Sequence, residues 1–257
     1  MAGLKIIRSI AQYLVIFIGI GFFALPIYAS TIFAFQRSDG SFSIDPLRKA
    51  GENEELMESL LLTLNIAAGT VILTLLLLVP TVAYIHLVIP HARGWIEFLT
   101  LTPLVIPPIV QGVGYLYSMP TQLKATPYAL IFAYVILALP FSYRSLDAAF
   151  ASLDIRTLYD ASTSLGANFI TVMRKVLIPN VLPGIYSAVF LTIALVLGEF
   201  AYASLLLWDT FPTVLAVAGM SGASTAVALS VLSLVGVWLL LNAITLLSKP
   251  TKQVARS

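Results

Sequence analysis

The sequence predicts an all-α, polytopic membrane protein with six transmembrane helices and one long cytoplasmic loop. Three observations predict it. Hydrophobic residues make up 59% of the 257 and charged residues only 10%, against about a quarter charged in an ordinary soluble domain. Mean hydropathy is +0.97. Six stretches reach the roughly 20 helical residues needed to cross about 30 Å of hydrocarbon, and most of the Lys and Arg fall on one side of them.

The first span is expected near 10–35. Lys5 and Arg8 precede it as in a secretion signal, but its apolar run exceeds the roughly 7–15 residues of a signal core, so it reads as a retained helix. The next spans are expected near 60–84, 95–119 and 127–150. Pro103, Pro107, Pro108 and Pro140 interrupt the third and fourth. A spanning helix tolerates proline where neighbouring helices or cavity water satisfy the freed carbonyls. The fifth and sixth lie near 184–208 and 225–247, leaving the polar stretch 151–183 as the long loop. One membrane domain therefore occupies 1–257, and no internal repeat or low-complexity segment is visible.

Orientation follows from the basic residues. Lys5, Arg8, Arg93, Arg144, Arg156, Arg174, Lys175, Lys249, Lys252 and Arg256 fall on one side, and Arg37, Arg48, Lys49 and Lys124 on the other. Because the side richer in Lys and Arg stays in the cytoplasm, both termini and the 151–183 loop are expected there. The loop 36–59 is then outside. Its Asp39, Asp45, Glu52, Glu54, Glu55 and Glu58 suit either a site for cationic ligands or a partner, or a solvated connector.

Several function classes drop out. The chain has no Cys, hence no disulfide or thiolate metal site, and a net charge of +2 is too small to suggest a nucleic-acid partner. No cofactor site is apparent. His86 and His91 are five apart, which does not place them on one helical face as metal ligands. No Ser, His and carboxylate pattern suggests nucleophilic catalysis, and no phosphate-binding G-x-x-x-x-G-K-[ST] loop is present. The chain reads as a non-enzyme.

The 151–183 loop has its own signals. Asp154 is a good N-cap for a helix beginning at Ile155. Leu158, Ala161 and Leu165 recur at spacings of three and four as an apolar stripe, and Gly166 stands where a left-handed C-cap is cheapest. A second helix is expected over 167–177, with Phe169, Val172, Met173 and Val176 on one side and Arg174 and Lys175 on another. Pro179 and Pro183 are expected to stop it. Two short helices about a glycine make either a knob projecting into the cytoplasm or an interfacial helix pair on the headgroups.

Residues 160–185, DASTSLGANFITVMRKVLIPNVLPGI, resemble the cytoplasmic loop of bacterial ABC importer permeases. That pattern runs E-A-A-x-x-x-G, nine variable residues, then an apolar residue and L-P. Gly166 fills the glycine position and Ile178-Pro179 stand for Leu-Pro, while Asp160 and Ser162 replace Glu and the second Ala. The resemblance covers about a tenth of the chain. It implies a type I importer permease in the inner membrane, forming half of a translocation pathway. The implied partners are a second permease subunit (more often a different chain), two ATP-hydrolysing subunits and a periplasmic or lipid-anchored solute-binding protein. Asp160, Ala161 and Gly166 would contact the ATPase, with Leu165 and Ala167 packing beside them. The alternative, an ion-coupled secondary transporter, would show inverted repeats and paired broken helices, and neither is visible.

Leu197-Gly198-Glu199-Phe200 resembles the permease branch that handles polyamines, ferric iron, sulfate and molybdate. A polyamine-like cation is the favoured solute, with ferric iron, phosphonate or an oxyanion next. Glu199 is expected within the fifth span, where a charge is costly and faces a bundle interior or watery cavity; lining the pathway and fixing helix packing are both open. Asn65 and Gln111, also within spans, are further pathway candidates whose default role is an inter-helix bond. Residues 209–224 are expected to fold back at the outer mouth. Tyr13, Tyr84, Trp95, Trp208 and Trp238 read as interface anchors.

Overall fold

The computed structural model describes residues 2–36, 40–221 and 223–247, where helices are joined by short turns and a lone antiparallel bridge pairs Gln36 with Phe42. Arg37, Asp39, Gly222, Lys249, Lys252 and Arg256 lie outside the described residues, as do the side chains of Lys5 and Arg8. The chain divides into two units, Met1–Met57 with Leu215–Gly236 and Glu58–Val214 with Val237–Ser257.

In the first unit α1 (Ala2–Phe35) is a continuous helix, and in its apolar stretch Ala11–Phe35 only Ala34 is buried. It leads into α2 (Asp45–Gly51), which carries proline in its first turn, where the missing N–H would have no intrahelical partner anyway. Asn53 Oδ1 then accepts from Leu56 N at 3.1 Å and opens α3 (Glu54–Val88). Glu52, Glu54, Glu55 and Glu58 are all exposed. Arg48 Nε meets Glu52 Oε1 at 2.8 Å on the surface of this connector.

The second unit holds most of α3, a 3-10 turn at Pro90–Ala92, α4 (Arg93–Val105), α5 (Pro108–Ser118), α6 (Thr121–Lys124) and α7 (Ala129–Ala151). After the loop helices α8 (Ile155–Ser164) and α9 (Phe169–Val172), a π-helical turn at Met173–Leu177 runs into α10 (Ile178–Gly198). The short α11 (Ala201–Leu205) follows in the same unit, while α12 (Phe211–Ser221) and α13 (Ala223–Leu247), the last described helices, are divided between the two units.

Three of the expected features need correction. The third span is not one helix: α4 and α5 meet at an angle of 100°. Ile106 is extended, as a residue before proline prefers, and Pro107 and Pro108 open the next helix. The fifth span begins earlier and ends sooner, at Ile178 and Gly198 rather than 184 and 208. Pro179 and Pro183 do not stop the loop helix; Pro179 falls in the first turn of α10, directly after the wider π turn, and Pro183 is accommodated inside α10. Residues 211–221, within the stretch expected to fold back, form a helix, and Phe211 N donates to the buried Thr63 Oγ1 of α3 at 2.8 Å. Pro140, by contrast, is buried inside an unbroken α7. Among the described residues four helices are each long and apolar enough to cross a membrane, five spans result if the bent pair counts as one, and α13 stands where the sixth was expected.

The two main core clusters lie in the second unit. One joins Val82, Ile85, Tyr143, Leu146 and Phe150 to the loop residues Ile155, Val172, Met173 and Leu177. The other joins Ile66, Leu130, Tyr134, Val196 and Tyr202 at the far ends of the same helices. Between them α7 and α10 approach closely at Gly184, where a Cβ would stand 2.4 Å from Ala149 Cβ and 2.9 Å from Ser145 O. A buried contact of 3.1 Å between Ser142 Oγ and Thr192 Oγ1 ties the same pair.

Candidate functional site

The loop between α7 and α10 is built by local hydrogen bonds that the sequence encodes. Asp154 Oδ1 accepts from Thr157 N at 3.3 Å and Oδ2 from Thr157 Oγ1 at 2.8 Å, so α8 starts where its cap residue stands. It ends in a Schellman arrangement: Gly166 N donates to Thr163 O at 2.8 Å and Ala167 N to Ser162 O at 3.1 Å. Gly166 takes φ +84°, a conformation a β-branched residue adopts only with strain. Asn168 Oδ1 then accepts from Thr171 N at 2.9 Å and opens α9.

These caps fix which side faces in. Ile155, Val172, Met173 and Leu177 are buried in the core beneath the loop, with Tyr159, Ala167 and Val176 packed partly against it. The tip presents the opposite side. Asp160, Ala161 and Gly166 are exposed, Leu165 is 89% exposed and Ile170 66%. Of the five residues expected at this surface, only Ala167 turns inward. The expected stripe of Leu158, Ala161 and Leu165 does not act as a buried face: Leu158 is half-buried and the other two are exposed. A cleft lined by Tyr84, Leu87, Val88, Arg156, Tyr159, Asp160 and Phe169 runs beside the tip. Solvent-facing apolar residues held by a rigid base are what a protein docking surface requires.

Next to the loop base lies an ionic cluster that the sequence reasoning missed. Asp147 is a carboxylate in the last turns of α7 with a side chain 10% exposed. Arg93 Nε meets its Oδ1 at 2.7 Å and Arg93 Nη2 its Oδ2 at 2.6 Å, while His86 Nε2 sits 2.9 Å from Oδ1. Glu97 and Arg144 form a looser, more exposed pair at 3.6 Å. The signal was present: Asp147 is an acidic residue inside a predicted span, and such a residue needs a named partner. His86 is thus half of a carboxylate contact, and no group of three metal-ligating side chains occurs among the described residues.

At the opposite end of these helices, Glu199 is not within the fifth span but just past its end, as the extended C-cap of α10. Its Oε1 accepts from Tyr202 N at 2.9 Å and so begins α11. Tyr202 Oη donates to Gln111 Oε1 at 2.9 Å. Gln111 Nε2 in turn donates to Ile106 O at 2.7 Å and to Pro103 O, carbonyls at the α4–α5 break. Tyr134 is 1% exposed, and its hydroxyl and Glu199 Oε2 are both buried without a hydrogen-bond partner. Glu199 and Gln111 are therefore brought together through Tyr202, whereas Asn65 lies apart on an exposed face of α3. Of the expected anchors, Tyr13, Tyr84, Trp95 and Trp238 are exposed, and Trp208 instead packs partly against the core around Tyr202.

No family profile matches the chain. Among curated proteins it is similar to the molybdenum transport system permease protein ModB of Mycobacterium bovis, 32% identical over 159 residues, or 55% of this chain and 58% of that protein. It is 30% identical over 162 residues to ModB of Azotobacter vinelandii, covering 58% of this chain and 71% of that one. A putative 2-aminoethylphosphonate transport system permease protein, PhnV of Salmonella typhimurium, is 25% identical over 126 residues, 47% of each chain. The chain spans about half the length of the first and third of these relatives.

Proposed function

The chain belongs to the ABC transporter permeases, multi-pass proteins of the inner membrane, and from that premise we propose that it forms half of an importer's translocation pathway and docks its ATPase subunits through the 151–183 loop. The observation that carries the docking reading is the loop's tip, where Leu165 is 89% exposed on a base buried in the core. Asp160, Ala161, Leu165, Gly166 and Ala167 would form or support the contact, and ATP chemistry would belong to the partner. With both termini and the loop in the cytoplasm, the acidic 36–59 connector faces the binding protein. A second permease subunit completes the pathway over the chain's one membrane domain, 1–257.

For the solute, the names of the relatives favour a small oxyanion or phosphonate, ahead of the polyamine-like cation that the sequence alone favoured. Glu199 and Gln111 act at the α4–α5 break, and Asn65 faces the second subunit or the pathway, since an amide facing lipid is costly.

The test is Gly166→Val. A β-branched residue at φ +84° strains the Schellman turn. The expected result is normal membrane insertion with loss of copurifying ATPase or of its coupled hydrolysis. Wild-type association and coupling in that variant would remove the loop from this role.

A further inference from the structure

The contact between α4 and α7 has a charge order that the loop's docking role does not by itself explain. Arg93 and Glu97 are one turn apart on α4, and Asp147 and Arg144 one turn apart on α7. They pair crosswise, Arg93 with Asp147 at 2.6 Å and Glu97 with Arg144 at 3.6 Å. Rungs of opposite polarity define a register, because sliding α4 by one turn would set like charges against each other. The inner rung is bidentate, which fixes orientation as well as distance. His86, reaching Asp147 Oδ1 from α3, holds the carboxylate still from a third helix.

What lies at either end of this ladder gives it a direction. Asp147 is two turns before Asp154, and between them Phe150 is packed with Ile155, Val172, Met173 and Leu177. The end of α7 and the loop base therefore form one packed piece. In α4, by contrast, only Thr100 is buried, while Trp95, Phe98, Leu99, Leu104 and Val105 are exposed. This helix of 13 residues is about 20 Å long and ends at the 100° break, where Gln111 ties it to α5 and, through Tyr202, to Glu199. It is a lever gripped at one end by charge and hinged at the other.

We propose that the Arg93–Asp147 and Glu97–Arg144 ladder makes α4 follow the 151–183 loop, carrying the loop's movement to the α4–α5 break. The inference rests on the reading of that loop as the ATPase-docking element. Arg93, Glu97, Arg144 and Asp147 are then positioning residues, acting on the pathway through α4.

The chain has no Cys, so spin labels at Ser152→Cys (loop base) and Leu104→Cys (far end of α4) are its only labelled thiols and report one distance within it once the partner subunits are cysteine-free. The assembled complex with its ATPase subunits is measured without nucleotide and trapped with ATP and vanadate, beside ATP hydrolysis and complex yield. In the otherwise wild-type chain the distance is expected to stay nearly constant, while each label moves relative to a reference label on α3 at Leu76→Cys. In Asp147→Asn, and in Glu97→Arg or Arg144→Glu alone, movement at Leu104 is expected to fall by more than half, with hydrolysis and yield retained. Combining Glu97→Arg with Arg144→Glu is expected to restore it, which a merely structural role for either residue would not do. Undiminished movement at Leu104 in the single variants, or no recovery in the pair, overturns the ladder while leaving the docking reading in place. A chain that holds no ATPase overturns the docking reading and the ladder with it.

Discussion

The 151–183 loop and the Asp147 cluster adjoin along the chain, Asp147 standing two turns before the loop's first cap at Asp154, and they use polar groups in opposite ways. In the loop, Asp154, Asn168 and Gly166 satisfy backbone groups within five residues of themselves, leaving apolar side chains such as Leu165 facing outward. In the cluster, Asp147 finds partners 54 and 61 residues away and is nearly buried beside His86, with Arg93 reaching in from the surface. The loop is a surface shaped by local bonds, and the cluster is a long-range fastening between helices. The first should be sensitive in binding and tolerant in stability; the second should be the reverse.

The sharpest way to break that contrast is Asp147→Ala. Removing one partner of a buried ion pair costs about 3–5 kcal/mol, because the remaining charge is left uncompensated. Arg93 is 42% exposed and can turn to water, so the low end of that range is expected. Thermal unfolding of the purified chain in detergent would read it. A loss no larger than that of a surface substitution would mean the cluster fastens nothing.

Glu199 tests whether the far polar group behaves like Asp147 or like the loop caps. Glu199→Ala leaves Tyr202 N without its side-chain acceptor, a loss of about 1–3 kcal/mol. In Glu199→Gln the amide oxygen can still accept from Tyr202 N and the amide can donate to Tyr134, so assembly should be nearly normal. Lower transport by the Gln variant at normal yield would assign the charge to the pathway. Normal transport and yield in both variants would withdraw Glu199 as a site.

Within the loop, Asp154→Ala removes the α8 cap and should cost about 1 kcal/mol. It should register as faster local amide exchange over α8 with little change in global unfolding. A global loss as large as that of Asp147→Ala would show that loop and core unfold together, erasing the contrast.

The two regions also differ in how far the sequence alone revealed them. Asp154, Gly166 and the apolar spacing gave the start of α8 and the turn after it, because a cap and a left-handed residue act on their immediate neighbours. The α4–α5 break was only partly readable. Pro103, Pro107, Pro108 and Pro140 look alike in sequence, yet only the Pro107–Pro108 pair breaks the helix, whereas Pro140 is buried in an intact α7. The early stop of α10 at Gly198 and the Tyr202 link between Glu199 and Gln111 depend on which helices become neighbours. Periodicity carries no such information. Asp147 carried a usable signal as a charge in an apolar span, but naming Arg93 as its partner required the fold.

The smallest effect on the fold is expected at Leu165, and it isolates the loop's surface from its scaffold. The side chain is 89% exposed and stands outside the core beneath the loop, so Leu165→Ser should change unfolding by no more than about 0.5 kcal/mol. The Schellman turn is made by backbone groups of 162, 163, 166 and 167 and survives the substitution. If the tip docks the ATPase through its apolar residues, this variant should nevertheless lose part of the copurifying ATPase, as truncation of an interface anchor does. Titrating the ATPase against the purified variant, beside its unfolding midpoint, separates the two quantities. Unchanged association at unchanged stability would leave Asp160 and Ala161 as the contact and remove Leu165 from it.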